Sequence, residues 1–214
     1  MPDNLSLIEE IYAGLKEDLL SGSRLPGERI DISDILARFP ASKTPVLLAL
    51  NRLVGEGILE SRPHDGYYIP RLTTDSLLEL YECDFKILTL ILDDVMASTT
   101  QPDVLPEIQL SEADTVRDTE TLFVAIARLS KNREFVKIVE GLNHRLRPLR
   151  RLKINTPFNM PHELDPFGVA WRAGNLTDLK DLVLAYHRRR IAHIPEFIAL
   201  AYTAPIMRPG LSQP

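Results

Sequence analysis

Ser33–Leu59, SDILARFPASKTPVLLALNRLVGEGIL, is the stretch whose reading decides the fold. Ile35, Leu36 and Phe39 repeat at helical spacing over barely two turns, and Pro40 stops them because a proline ring carries no N–H for the helical ladder. A second helix is expected from Ser42, an N-cap candidate whose hydroxyl would accept a backbone N–H, with Pro45 in the first turn where a missing N–H costs little. Val46, Leu50, Leu53 and Val54 form its inner stripe. Lys43, Thr44, Leu47, Leu48, Asn51 and Arg52 are left on outer or flanking faces, and Gly55 and Gly57 close the helix. Two short helices joined by a tight turn make a helix-turn-helix, whose second helix is shaped for a DNA major groove.

The flanks extend this pattern. Leu7, Ile8, Ile11, Tyr12, Leu15, Leu19 and Leu20 give residues 5–22 one apolar face, opposite Glu9, Glu10, Lys16, Glu17 and Asp18. LPGE at 25–28 is a turn, after which Ile30 and Ile32 lead into Ser33, the expected cap of the first helix of the pair. Ile58–Ser61 and Tyr67–Pro70 read as extended runs joined by RPHDG, where Asp65–Gly66 supplies the hairpin signal. Helix, helix, turn, helix, hairpin is the order of a winged helix-turn-helix, expected over residues 1–72.

Ile11–Ile69 resembles the DNA-binding domain of GntR-family transcriptional regulators. The matching words are IYAGLKEDLLSG, LPGERI, SKTPVLLALNRLVGEGILESRP and HDGYYIP. The resemblance implies that Lys43, Thr44, Leu47, Asn51 and Arg52 on the second helix, with His64 and Gly66 on the wing, contact a double-stranded DNA operator. The chain departs from the family's usual Ser-Arg-Thr-Pro-Val-Arg-Glu-Ala-Leu at Lys43, Leu47 and Leu48, and from the wing's His-Arg-Gly at Asp65. A bidentate arginine on guanine is worth about 1–3 kcal/mol of discrimination, so leucine in its place changes the operator or weakens binding by about that much. Leu47 is a candidate to pack on a thymine methyl; the alternative is that Leu47 and Leu48 meet another protein surface.

Charge sharpens the point. Residues 1–72 hold eight Lys and Arg against eleven Asp and Glu, and the whole chain carries −5, so nonspecific attraction to phosphate is weak and any DNA contact must be local.

Residues 73–202 read as an all-helical domain, followed by a loose tail over 203–214, which makes the fold class mainly α with a small β-hairpin wing. Apolar residues recur from Leu77 to Met96, from Val116 to Leu129 after a start near Ser111, and from Phe135 to Leu149 in a helix from Arg133 to about Ile154 with Pro148 inside it. Residues 98–110 are a loop and 155–166 a proline-rich connection. Helices are expected again over Pro166–Ala173 and Thr177–Tyr202, separated by Ala-Gly-Asn.

LLELYECDFKILTLI, LFVAIARLSKN and VAWRAGNLTDLKDLVLAYHRRR are similar to the FCD domain of the FadR-like branch. That similarity implies a homodimer, a small carboxylic acid effector and, in many members, a divalent metal held by one Asp and three His. Position by position the metal set is largely missing: the Asp falls on Glu120, the first His on Val124, the second near Leu164 with His162 beside it, and the last on Tyr186 or His187. Glu120, His162 and His187 are what remains as a candidate set, and the cofactor stays unassigned.

Among the basic residues of 144–153 and 187–190, Arg147, Arg151 and Arg189 are the candidates for a carboxylate effector, since a guanidinium grips a carboxylate with two parallel bonds; the alternative is a solvated face of ion pairs. Cys83, alone in the chain, is expected as a packed thiol. No phosphate loop, nucleophile elbow or His-Glu-x-x-His zinc motif occurs, and a capping Ser42 accounts for the Ser42–Lys43 pair, so no enzyme is expected. The acidic start MPDNLSLIEE and the lack of a long apolar window point to a cytoplasmic protein with no membrane partner. The expected function is a DNA-binding transcriptional regulator that dimerises and senses an effector, against the alternative of a helical ligand-binding or protein-interaction module whose DNA head has degenerated.

Overall fold

The computed structural model describes residues 4–98, 104–111, 113–152 and 162–203. The tail expected over 203–214 and the connection over 155–166 therefore lie mostly outside the described residues. The chain divides into two compact units, one of Met1–Leu72 with Arg147–Leu152 and Ala199–Pro214, the other of Thr73–Leu146 and Lys153–Ile198.

In the first unit α1 spans Asn4–Leu20, β1 Arg29–Ile30, α2 Ile32–Arg38, α3 Lys43–Gly55, β2 Glu60–Arg62 and β3 Gly66–Tyr68. Ile11, Leu15 and Leu19 of α1 interleave with Val46, Leu50 and Leu53 of α3, and Ile35, Ile58 and Leu59 close the same core. The wing is a three-stranded antiparallel sheet in the order β1-β3-β2, with Arg29 opposite Tyr68 and Ser61 opposite Tyr67. Two residues are too few to announce a strand by alternation, which is why β1 was not foreseen.

Local chemistry departs from the sequence expectation at both helix starts. Asp31, not Ser33, caps α2: its carboxylate accepts from the Ser33 N–H at 2.8 Å and from the Ser33 hydroxyl at 2.5 Å. A charged acceptor makes the stronger cap bond. Ser42 does hold the N-cap position of α3, yet its side chain makes no cap bond. Pro45 stands at the third helical position, and the N–H that a capping serine would take there does not exist.

The end of α3 follows its sequence closely. Gly57 takes φ 69°, its N–H bonds the Val54 carbonyl, and the Ile58 N–H bonds that of Leu53. This is a Schellman closure, in which only a residue at ease in the left-handed region fits. In the wing the Asp65 N–H bonds the Arg62 carbonyl across Pro63 and His64, and His64 carries the positive φ of 61°. The turn is thus centred on Pro63–His64, in the pattern of a type II turn, rather than on Asp65–Gly66.

The second unit holds α4 over Thr74–Ala97, α5 over Thr115–Leu129, α6 from Arg133, α7 over Asp165–Arg172, α8 over Leu176–Ala192 and the start of α9. In full α6 spans Arg133–Leu152 and α9 Ile194–Thr203. Thr73 and Ser76 form a capping box at the start of α4, and α5, capped by Asp114, begins at Thr115 rather than near Ser111. Where one helix was expected over Thr177–Tyr202, His193 ends α8 and α9 begins at Ile194. Pro195 explains the break, because inside a continuous helix it would lose its bond and collide with the carbonyl four residues back.

Leu88, Ile91 and Leu92 of α4, Leu122, Phe123 and Ile126 of α5, Phe167 and Trp171 of α7, and Leu179, Val183 and Tyr186 of α8 make the second core. Cys83 is exposed, contrary to expectation. Tyr81, Asp84 and Leu88 face inward on α4, and that phase turns Cys83 to solvent. Among the described residues no helix is long and apolar enough to cross a membrane.

Candidate nucleic-acid interface

α3 buries Val46, Ala49, Leu50 and Leu53, and this phase leaves Thr44, Leu48, Asn51 and Gly55 as its solvent stripe, with Lys43 exposed at its first turn. Leu48 is 50% exposed. Leu47 is half-buried and packs against the core, so of the two leucines that stand in for the family's polar pair, Leu48 is the one presented.

Asn51 is oriented by the wing: the Tyr67 hydroxyl donates to Asn51 Oδ1 at 2.8 Å. Arg52 turns away from the stripe. Its guanidinium lies 3.6 Å from the Tyr12 ring centre, bonds Glu9 Oε2 at 2.7 Å and approaches Glu56 Oε1 at 3.6 Å. Tyr12 also donates to Glu56 at 2.6 Å, and Lys16 to Glu56 at 2.7 Å. Burial pushes the Glu56 carboxyl up, but the hydrogen bonds from Lys16 and Tyr12 and the charges of Lys16 and Arg52 outweigh it and hold the group below the ordinary carboxylate range.

In the wing, His64 is exposed at the turn tip and Gly66 takes φ 122° at the start of β3. Arg29 Nη2 donates to the Asp65 carbonyl at 2.9 Å, and the Arg62 guanidinium stacks 3.8 Å from the Tyr68 ring centre. The Asp65 carboxylate accepts from the Tyr68 hydroxyl, and this bond holds the phenol's pKa above its ordinary value. Arg29 thus holds the Asp65 backbone and Arg62 covers Tyr68, while the Asp65 carboxylate takes the place of the usual wing arginine.

Residues 7–69 match the bacterial regulatory proteins of the gntR family. These residues form a gntR-type domain. Relatives include the Nta operon transcriptional regulator of Aminobacter aminovorans, 30% identical over 132 residues that cover 57% of this chain and 63% of that protein. The uncharacterized HTH-type transcriptional regulator YdhC of Bacillus subtilis is 26% identical over 136 residues, 63% of this chain and 60% of that one. The match therefore spans about three-fifths of each curated relative.

Two solved structures share the fold over nearly their whole length. A GntR transcriptional regulator from Rhodococcus sp. RHA1 has a TM-score of 0.69 at 17% identity and covers 89% of this chain and 98% of its own. E. coli McbR/YncC has a TM-score of 0.64 at 19% identity, with 92% and 99% covered. A winged helix-turn-helix with a helical C-terminal half is the fold of this chain.

The gntR-type domain therefore places Lys43, Thr44, Asn51, His64 and Gly66 on the exposed side of α3 and on the wing, while Leu47 and Arg52 are turned to the core and to α1. Sequence reasoning missed Tyr67, whose role depends on how the hairpin packs on α3 and leaves no local signal. Leu48 stands among the outer-face residues but not among the expected contacts, although phase alone puts it on one face with Thr44 and Asn51, four residues after the first and three before the second.

The candidates of the helical unit are not brought together. His187 is buried, its Nδ1 2.8 Å from the Val183 carbonyl and its Nε2 3.2 Å from Asp84 Oδ2. A carbonyl only accepts, so Nδ1 carries a hydrogen. The ring stacks on Phe123, and Tyr81, Phe85 and Tyr186 surround it. His162 is exposed and pairs with Asp165 at 3.3 Å, and Glu120 is buried on α5. Among the described residues no three His, Cys, Asp or Glu side chains are placed to hold a metal ion, so Glu120, His162 and His187 do not fit one.

Arg147 and Arg151 are half-buried, one turn apart on α6, and are counted with the first unit; Arg189 belongs to the second. Arg189 bonds Glu163, and Arg190 grips the same carboxylate with two bonds of 2.5 Å. Burial raises the Glu163 carboxyl, but Arg190 and Arg189 outweigh this and hold it below its ordinary range.

Proposed function

We propose that this chain is a sequence-specific DNA-binding transcriptional regulator, with residues 1–72 as its DNA head and 73–202 as a domain that dimerises and senses a small organic acid. The observation that carries the reading is the solvent stripe of α3, which runs beside the wing in a GntR domain and is covered by no other described part of that domain. Two such helices in a homodimer would enter successive major grooves of a near-palindromic operator. An effector would then bias the spacing of the heads by its differential affinity for two arrangements of the dimer.

Lys43, Thr44 and Asn51, with His64 and Gly66 on the wing, are the proposed contacts. A carboxylate class of effector is supported by Arg189 and Arg190, which bind the carboxylate of Glu163, Arg190 with the forked geometry such a ligand would use. A cytoplasmic location follows from the proposed work on DNA. The rival reading, a degenerated head, draws on the apolar Leu48 and the inward-turned Arg52.

A mobility-shift titration of the full chain on the DNA upstream of its own operon, across a salt series, separates the two. A regulator retards that duplex specifically and does so less as salt rises. No retardation at micromolar protein overturns the proposal.

A further inference from the structure

The solvent stripe of α3 has an unusual makeup for a reading head. It presents one apolar group, Leu48, and one amide, Asn51, three residues apart and therefore neighbours on the same helix face. Tyr67 occupies the Oδ1 of that amide at 2.8 Å and turns it toward the wing, so Nδ2, which only donates, is the end left for an incoming base.

Adenine is read by an asparagine that donates to N7 and accepts from N6 at once, and the held Oδ1 is not available in that direction. Guanine offers acceptors but no apolar group in the major groove. Thymine offers both an acceptor, O4, and the C5 methyl beside it. A single leucine among Thr44, Asn51 and Gly55 is also far smaller than the apolar patch of a few hundred Å² that marks a protein-docking surface.

We propose that α3 is a thymine reader: Leu48 packs on the C5 methyl while Asn51 Nδ2, aimed by Tyr67, donates to O4. The inference rests on the DNA-binding reading above and names what the helix recognises. It moves the apolar contact from Leu47, which the core holds, to Leu48, and makes Tyr67 a positioning residue for specificity.

The test starts by enriching duplexes from a randomised pool with the full chain, then replaces each thymine of the winner, one at a time, with deoxyuridine. That exchange removes only the methyl. At one or more positions the wild type should bind about fourfold more weakly, the loss expected for one apolar carbon left unburied. Leu48→Ala, an exposed change to a good helix former whose fold is checked by circular dichroism, should not respond to the same exchange.

Tyr67→Phe frees Oδ1 and should raise acceptance of adenine at the contacted position. Deoxyuridine duplexes that all bind like their parent would overturn the thymine contact while leaving sequence-specific binding intact. A Leu48→Ala protein as sensitive as the wild type would remove Leu48 from it, and an unchanged base preference in Tyr67→Phe would remove Tyr67. If no sequence is enriched, the DNA-binding reading itself fails, and this inference with it.

Discussion

The guanidinium of Arg52 lies flat on Tyr12 and bonds Glu9, so the one arginine of α3 joins that helix to α1 instead of projecting from its solvent stripe. Arg52→Ala should therefore lower the thermal stability of the GntR domain by about 1 kcal/mol, the scale of one partly exposed stacked cation, and leave base preference in a competition assay unchanged. Its neighbour Glu56 makes the same cluster sensitive to acid. A carboxyl held below its unfolded value, about 4.3, adds stability that is present above that pH and is lost as pH falls through the lower folded value. Unfolding midpoints measured from pH 7 to pH 3 should show the Glu56→Gln protein less stable than wild type at neutral pH, with the gap closing below about pH 4. A gap that persisted at pH 3 would assign the loss to packing. At this scale the residue types at the interface were legible from the sequence, because helical phase sorts inside from outside. Which way a long side chain bends was not: Arg52 has Tyr12 and Glu9 within reach only because α1 packs on α3, a contact 40 residues away along the chain.

The elements of the head were legible for the same reason their ends were not all so. Apolar periodicity fixes α1 and α3, and Gly57 fixes the end of α3, since φ 69° is a conformation that costs other residues about 1–2 kcal/mol. Gly57→Ala should lower stability by about that amount in denaturant titration, with an unchanged slope against denaturant if the fold is kept. β1 escaped notice because a strand of two residues exists only through its partners Tyr67 and Tyr68. Asp31 displaced Ser33 as cap, and Pro195 split the last expected helix, each by chemistry written in the sequence but weighed against a stronger periodic signal.

For the whole molecule, the two-part order of winged helix followed by helices was written in the pattern of apolar residues, and the two solved structures of like fold share it. The side-chain constellations of the helical unit were not, because their members come from elements far apart in sequence. His187 meets Asp84 across 103 residues, and Glu163 meets Arg190 across 27. The Glu163 side chain is 4% exposed and holds two arginines, so Glu163→Gln, which leaves the buried Arg190 charge without its carboxylate, should cost about 3–5 kcal/mol in thermal or chemical unfolding. A loss below about 1 kcal/mol would mean that the pair is solvated in solution. The central claim, that this acidic chain selects a DNA sequence, is tested most directly by fluorescence anisotropy of the full protein with its upstream duplex and with a scrambled duplex of equal length at physiological salt. The account predicts at least about thousandfold tighter binding to the upstream duplex; equal affinity for the two, or none for either, would contradict it.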